Sequence, residues 1–196
     1  MRHKSRLQIL TPLLRKPLFT TKEAKTLGIS AAGLNHYVKT GQLKRISRGV
    51  YQGSHSPSHT GCWGDLLEAV YSTKGIICLI SALALYDLTE EIPRQHWIGI
   101  RHGTSAKSNK QIKIIRFRNV EIGKTEIELE GVHVPIFDRE RTIIDAFRLL
   151  SRETAIKALK AALAKSGKNR IDLVKLQEYA KALRFNITPY LMSLTT

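Results

Sequence analysis

The sequence predicts an α+β fold in two parts, on three observations. Between Phe19 and Tyr51 two short, separately capped helical segments meet at a glycine and then give way to period-two patterning. Residues 53–61, GSHSPSHTG, collect Ser, Gly, His and Pro into a linker-like tract. From residue 62 onward, short β-type apolar runs mix with longer helical stripes. The expected organisation is a winged helix-turn-helix domain over 1–53, a linker over 54–61, and an α+β domain over 62–196 whose small sheet is flanked by helices.

In chain order, Arg6 to Leu14 carries Leu7, Ile9, Leu10, Leu13 and Leu14 as a helical stripe, and Pro17 ends it. Thr20 can cap the next helix, with Glu23 three residues on to close a capping box, and this helix should reach Leu27. Gly28 supplies the turn and Ser30 a second N-cap, so another helix starts at Ala31. In it Leu34, Tyr37 and Val38 face Ala24, Leu27 and Ile29, while Ala31, Ala32, Asn35, His36 and Lys39 face outward. Leu43 to Ile46 and Val50–Tyr51 read as the strands of a wing, with Ser47-Arg48-Gly49 at its tip.

In the second part Cys62 to Ser72 places Trp63, Leu66, Leu67, Val70 and Tyr71 at helical spacing, and an apolar piece follows at Ile76 to Ile80. Ser81 is the expected cap of a helix over Ala82 to Leu88. Strands are expected at His96 to Ile100 and Ile112 to Arg118, and a hairpin through Glu130-Gly131 joins Ile127–Leu129 to Val132–Phe137. Helical stripes return after Arg139 with Ile143, Ile144, Ala146, Phe147 and Leu150, then over Glu153 to Lys165 and over Leu173 to Leu183, the last capped by Asp172.

Composition narrows the partners. The 196 residues are 42% hydrophobic, enough for a core, but 32 Lys and Arg against 16 Asp and Glu give a net charge of +16. Residues 1–60 hold eleven of those cations and a single acid, Glu23. Such a balance suits a polyanion, and it is concentrated where a helix-turn-helix would need phosphate contacts. Two cysteines, Cys62 and Cys78, are too few for a disulfide framework, and no apolar run is long enough to span a bilayer, so a reduced cytoplasmic protein is expected.

The expected partner is double-stranded DNA. Asn35 and His36 are the candidates for base edges, since an asparagine amide can read adenine bidentately, and small Ala31 and Ala32 would let the helix approach closely. Lys22, Lys39, Lys44 and Arg45 would hold phosphates, Thr21 and Ser30 are further DNA-binding candidates, and Arg48 would meet the backbone or a minor groove. A second basic run, Arg101, His102, Lys107, Lys110, Lys113, Arg116 and Arg118, could extend the footprint or be a solvated surface. Three other sets invite chemistry less strongly. His55, His59 and Cys62 make only three metal ligands in a linker. Asp138, Glu140 and Asp145 suggest a metal-dependent nuclease, but Asp138 suits a helix cap and neighbouring arginines suit the other acids. There is no P-loop, dinucleotide fingerprint or nucleophile elbow, and neither cofactor nor metal is expected. A basic RNA- or protein-binding adaptor is the remaining alternative to a DNA-binding protein.

The runs TTKEAKTLGIS (Thr20 to Ser30) and LNHYVKTGQLKRISRGVY (Leu34 to Tyr51), together with SALALYDL (Ser81 to Leu88) and VPIFDRERTIIDAFR (Val134 to Arg148), resemble the AbiEi family, antitoxins and transcriptional regulators from bacterial type IV toxin-antitoxin operons. The resemblance implies that residues 19–51 read inverted repeats in the promoter of the protein's own operon and repress it. It implies that residues 62–150 act as an antitoxin against a nucleotidyltransferase-like toxin encoded alongside, without a stable complex. An inverted repeat can be filled by a dimer or by two monomers.

Overall fold

A computed structural model describes residues 9–16, 18–47, 49–53, 63–106 and 108–195. The chain divides into two compact units, residues 1–74 with 128–134 and residues 75–127 with 135–196.

In the first unit, the described part of the opening helix is α1 (Thr11–Leu14), with a proline in its first turn, where a missing N–H is harmless. Leu10 and Leu13 are buried but Ile9 is exposed, so the apolar stripe is narrower than its sequence; Leu7 and Pro17 lie outside the described residues. β1 (Phe19–Thr20) leads into α2 (Thr21–Thr26), and α3 (Ala31–Lys39) follows. Then come β2 (Leu43–Ser47) and β3 (Val50–Gly53), in a three-stranded antiparallel sheet of order β1-β3-β2. β1 was not foreseen, because two residues cannot display a period; it joins through Phe19↔Tyr51 and Thr20↔Val50. Leu10, Leu13, Phe19, Ala24, Leu34 and Tyr51 form the core beneath. The mixed helix-and-strand composition and this winged start match the fold class expected from sequence. α4 (Gly64–Thr73) packs against β2 within the same unit, and the Trp63 N–H at its start donates to Glu130 Oε1 at 3.3 Å in the 128–134 tip.

β4 (Ile76–Ile77), β5 (His96–Arg101), β6 (Ile112–Phe117), β7 (Lys124–Leu129) and β8 (Val132–Phe137) form a five-stranded sheet of order β6-β5-β4-β8-β7, which belongs to the second unit except for the 128–134 tip of β7 and β8. β5 runs antiparallel to β4 and parallel to β6, and β4 runs parallel to β8. Gly75 and Gly99 allow the close approach: a Cβ on Gly75 would lie 2.2 Å from Ile98 Cγ2 and 2.8 Å from the Gly99 carbonyl oxygen.

Helices α5 (Leu79–Leu85), α6 (Arg139–Leu149), α7 (Arg152–Ala164), α8 (Leu173–Ala182) and α9 (Thr188–Thr195) complete the unit. α6 is the hub, because every residue from Glu140 to Phe147 is buried. Its Ile143, Ile144 and Phe147 meet Leu83, Ala158, Leu159, Leu176 and Leu191 in one apolar cluster. Ser81 is not the expected cap. The helix begins two residues earlier, at Leu79, and the buried Ser81 hydroxyl instead accepts from the Trp97 N–H at 2.8 Å. A hydroxyl hidden from water needs a partner, and β5 supplies it. Asp138, Ser151 and Asp172 do cap α6, α7 and α8.

Candidate nucleic-acid interface

The capping box forms as the sequence requires. Glu23 N–H donates to Thr20 Oγ1 at 3.3 Å and Thr20 N–H to Glu23 Oε2 at 2.7 Å, while Lys16 Nζ sits 2.8 Å from Glu23 Oε1. Burial pushes the Glu23 carboxyl up, but Lys16 and the two Thr20 donors outweigh it and hold its pKa below the ordinary carboxylate value. Burial, with the Glu23 charge behind it, raises the Tyr71 hydroxyl. The lone acid of this basic segment is therefore spent on holding α2 in place.

Gly28 takes φ +78° between the two helices, and Ile29 N–H reaches back to the Ala24 carbonyl at 3.0 Å. Ser30 Oγ then accepts from Gly33 N–H at 3.2 Å and starts α3. Leu34 is fully buried and anchors α3, Tyr37 and Val38 are half-buried against the same core, and Gly41 at φ +74° ends the helix with Gln42 N–H on the Tyr37 carbonyl at 2.9 Å. With that face fixed inward, Ala31, Ala32, Asn35, His36 and Lys39 are all exposed on the other. The ring of His36 lies 5.7 Å, edge-on, from that of Tyr37. A helix presenting two alanines, an amide and an imidazole, with a lysine at its end, has the shape and donors for a major groove.

The wing is tied to the start of α2. Thr21 N–H and Oγ1 both donate to the Gly49 carbonyl, at 2.9 and 3.3 Å. Gly49 takes φ +83°, and a Cβ there would meet Thr21 Oγ1 at 3.3 Å. Thr21, read from sequence as a DNA-binding residue, thus has a structural duty that only the fold reveals. The β2/β3 register slips between Arg45↔Tyr51 and Ser47↔Val50, so Ile46 is the extra residue of a bulge, which bends the wing near its tip. Lys22, Lys44 and Arg45 are exposed, as is Ser30 beside its cap; Arg48 lies outside the described residues.

The second basic run extends from the end of β5 through the following loop and along β6 to Arg118 just beyond it. Arg101, His102, Lys110, Lys113, Arg116 and Arg118 are exposed, and Lys107 lies outside the described residues. Arg101 pairs with Glu121 at 3.0 Å, and Lys113 Nζ lies 3.8 Å over the Trp97 ring.

The three acids that suggested a nuclease are each engaged. Asp138 accepts from Arg141 N–H at 2.9 Å and from Tyr179 at 3.2 Å, and Lys175 lies 2.9 Å away. Glu140 accepts from Asp172 N–H at 2.9 Å. Asp145 holds Arg141 at 2.6 Å and Arg148 at 2.8 Å. Burial lowers the Lys175 ammonium, but Asp138 and Glu140 more than reverse this and raise it above the ordinary lysine value. Among the described residues no group of three His, Cys, Asp or Glu is placed to hold a metal ion, and no helix is long and apolar enough to cross a membrane. His55, His59 and Cys62 lie outside them.

Set against known families, residues 8–52 match the model described as transcriptional regulator, AbiEi antitoxin. No curated protein matches the chain. The match spans α1 to the wing and agrees with the resemblance carried by the two sequence motifs within that span.

Proposed function

We propose, with the regulator family of the first domain as premise, that the protein is a sequence-specific DNA-binding repressor that reads its own promoter and serves, in the cytoplasm, as the antitoxin of a type IV toxin-antitoxin operon. The observation that carries the reading is α3, capped at Ser30 and anchored by Leu34, with Asn35 and His36 exposed among small residues. Asn35 and His36 read base edges; Lys22, Lys39, Lys44, Arg45 and Arg48 hold phosphates, with Ser30, Ala31, Ala32 and Thr21 shaping the approach. An operator with inverted repeats takes two copies of α3, from a dimer or from two monomers. The toxin is a nucleotidyltransferase-like protein encoded alongside, opposed without a stable complex.

The test is a fluorescence-anisotropy titration of the full chain on the DNA upstream of its gene and on a shuffled copy. A preference of about a thousandfold is expected, with Asn35→Ala losing roughly 1–3 kcal/mol on the preferred site alone. Equal and steeply salt-dependent binding to both DNAs would refute sequence reading. Coexpression with the neighbouring gene checks the antitoxin role, which fails if growth is arrested equally with and without this protein.

A further inference from the structure

Residues 121–130 hold four glutamates, Glu121, Glu126, Glu128 and Glu130, against a single Lys124, in a chain of net charge +16. They enclose β7, the last strand of the five-stranded sheet, whose only neighbouring strand is β8. Lys124, Thr125, Glu126 and Glu128 are all exposed along it. Two copies of so basic a chain repel over much of their surfaces, and the acids around β7 relieve that repulsion at this edge.

The hairpin fixes which main-chain groups this edge offers. Glu130 and Gly131 take φ 50° and 76°, the conformation of a two-residue hairpin turn, so Leu129 lies opposite Val132. At the other end of β7, Asp138 N–H donates to the Gly123 carbonyl at 2.7 Å, which keeps the same register. Odd-numbered residues of β7 therefore turn their main-chain groups toward β8, and those of Lys124, Glu126 and Glu128 point outward. The Lys124 N–H is taken by the Glu121 carbonyl at 3.2 Å, so the outward set is the Lys124 carbonyl with both groups of Glu126 and of Glu128.

Charged residues on an edge ordinarily keep other strands away. Here their order is self-complementary. Two β7 strands pairing antiparallel about a two-fold axis must match outward residues with outward residues, so the axis passes through one residue of the strand. An axis at Lys124, Glu126 or Glu128 sets a charge against itself, and one at Ile127 sets Glu126 against Glu128 twice. An axis at Thr125 instead places Lys124 of each copy opposite Glu126 of the other, with no like charges facing across the pair. Glu126 N–H of each copy then meets the Lys124 carbonyl of the other.

We propose that two copies of this chain pair through β7, antiparallel about a two-fold axis at Thr125, so that their sheets continue as one. The partner this edge fits is a second copy, held by main-chain bonds and two Lys124–Glu126 pairs. A contact of so few residues is weak, and it fills at high concentration or where a shared DNA holds both copies close. The two α3 helices of such a pair are related by the same axis, which is the symmetry of an inverted repeat. The pairing is a property of the sheet edge and is tested without DNA, so its failure leaves the DNA-binding reading standing.

The test is disulfide trapping in the full chain carrying Cys62→Ser, since Cys78 is buried. Antiparallel partners at a non-hydrogen-bonded position lie about 4.5 Å apart between Cα atoms, within reach of a disulfide, so Thr125→Cys should oxidise to a covalent dimer. Ile127→Cys should stay monomeric, because its counterpart lies four residues further along the second strand, roughly 13 Å away. Adding Lys124→Glu to Thr125→Cys should slow trapping about tenfold, and adding Glu126→Lys as well should restore it. General charge repulsion predicts the reverse for Lys124→Glu, which lowers the net positive charge. Unaltered melting curves establish that each variant is folded. No trapping of Thr125→Cys up to about 1 mM protein, equal trapping of Ile127→Cys, or faster trapping with Lys124→Glu would each overturn the pairing. Sedimentation of the wild-type chain that grows past a dimer with concentration would overturn it too, and would assign β7 to the basic β6 edge of a further copy.

Discussion

Replacing Arg141 with methionine should cost the second unit about 3–5 kcal/mol, the range for orphaning one partner of a buried ion pair. Arg141 is 1% exposed and each of its three guanidinium nitrogens donates: Nε to Asp145 at 2.6 Å, Nη1 to the Ile122 carbonyl at 2.9 Å and Nη2 to the Asn119 carbonyl at 3.1 Å. Its plane also lies 4.5 Å from the Phe137 ring and 5.3 Å from that of Phe117. Methionine refills the stem but strands two carbonyls and leaves Asp145 with only Arg148, a third of whose side chain is exposed. A buried acceptor stripped of its donor costs about 1–3 kcal/mol, so the buried Asp145 carboxylate together with the two part-buried carbonyls reaches the quoted range. The assay is urea unfolding followed by Trp97 fluorescence in a Trp63→Phe background. With a slope of about 2 kcal/mol/M, the midpoint should fall by roughly 1.5–2.5 M. Adding Asp145→Leu should restore part of the loss by removing the stranded charge. A shift under about 0.5 M for Arg141→Met would refute the reasoning, because the network would then contribute no more than an exposed pair.

Three further outcomes are expected. Gly123→Ala should lose about 2–4 kcal/mol in the same assay, since the glycine takes φ +71° and a Cβ would lie 2.4 Å from Arg141 Cβ. Thr21→Val keeps the N–H bond to Gly49 but deletes the hydroxyl bond, so it should cost about 0.5–1.5 kcal/mol of stability in a thermal melt and leave the DNA salt slope unchanged; a slope reduced by about one unit would make Thr21 a phosphate contact instead. Glu23 is held below the ordinary carboxylate pKa, so its stabilisation is present above the ordinary value and disappears as pH falls through the lowered one. Melts of wild type and Glu23→Gln should accordingly differ at pH 7 and converge toward pH 3; a gap that persists undiminished would contradict the assignment.

Most of the first unit was legible because its signals are local. Thr20, Glu23, Gly28, Ser30 and Gly41 act within four residues of themselves, and Leu34 with Tyr37 and Val38 fixes which face of α3 turns inward. The outward Asn35 and His36 follow from that periodicity alone. The Thr21–Gly49 tie and the two-residue strand β1 were not legible, as each depends on a partner in a distant segment, and the Ile46 bulge was not because it is a slip in register against the neighbouring strand. Ser81 shows the limit from the other side. Its position ahead of an apolar run gave a valid cap signal, but burial beside β5 gave the hydroxyl a different partner.

The sequence by itself determined the helix starts, the exposed face of α3, the concentration of cations in residues 1–60 and the resemblance to a regulator family, because capping, amphipathic period and net charge are sums over near neighbours. Tertiary structure alone decided that β5 and β6 pair in parallel, that Arg141 is buried against Asn119, Ile122 and Asp145, and that Lys110, Arg116 and Arg118 border a sheet edge. A charged residue reads the same in sequence whether it is solvated or buried. Only the partners brought to it by the fold, and the desolvation they must offset, decide between the two.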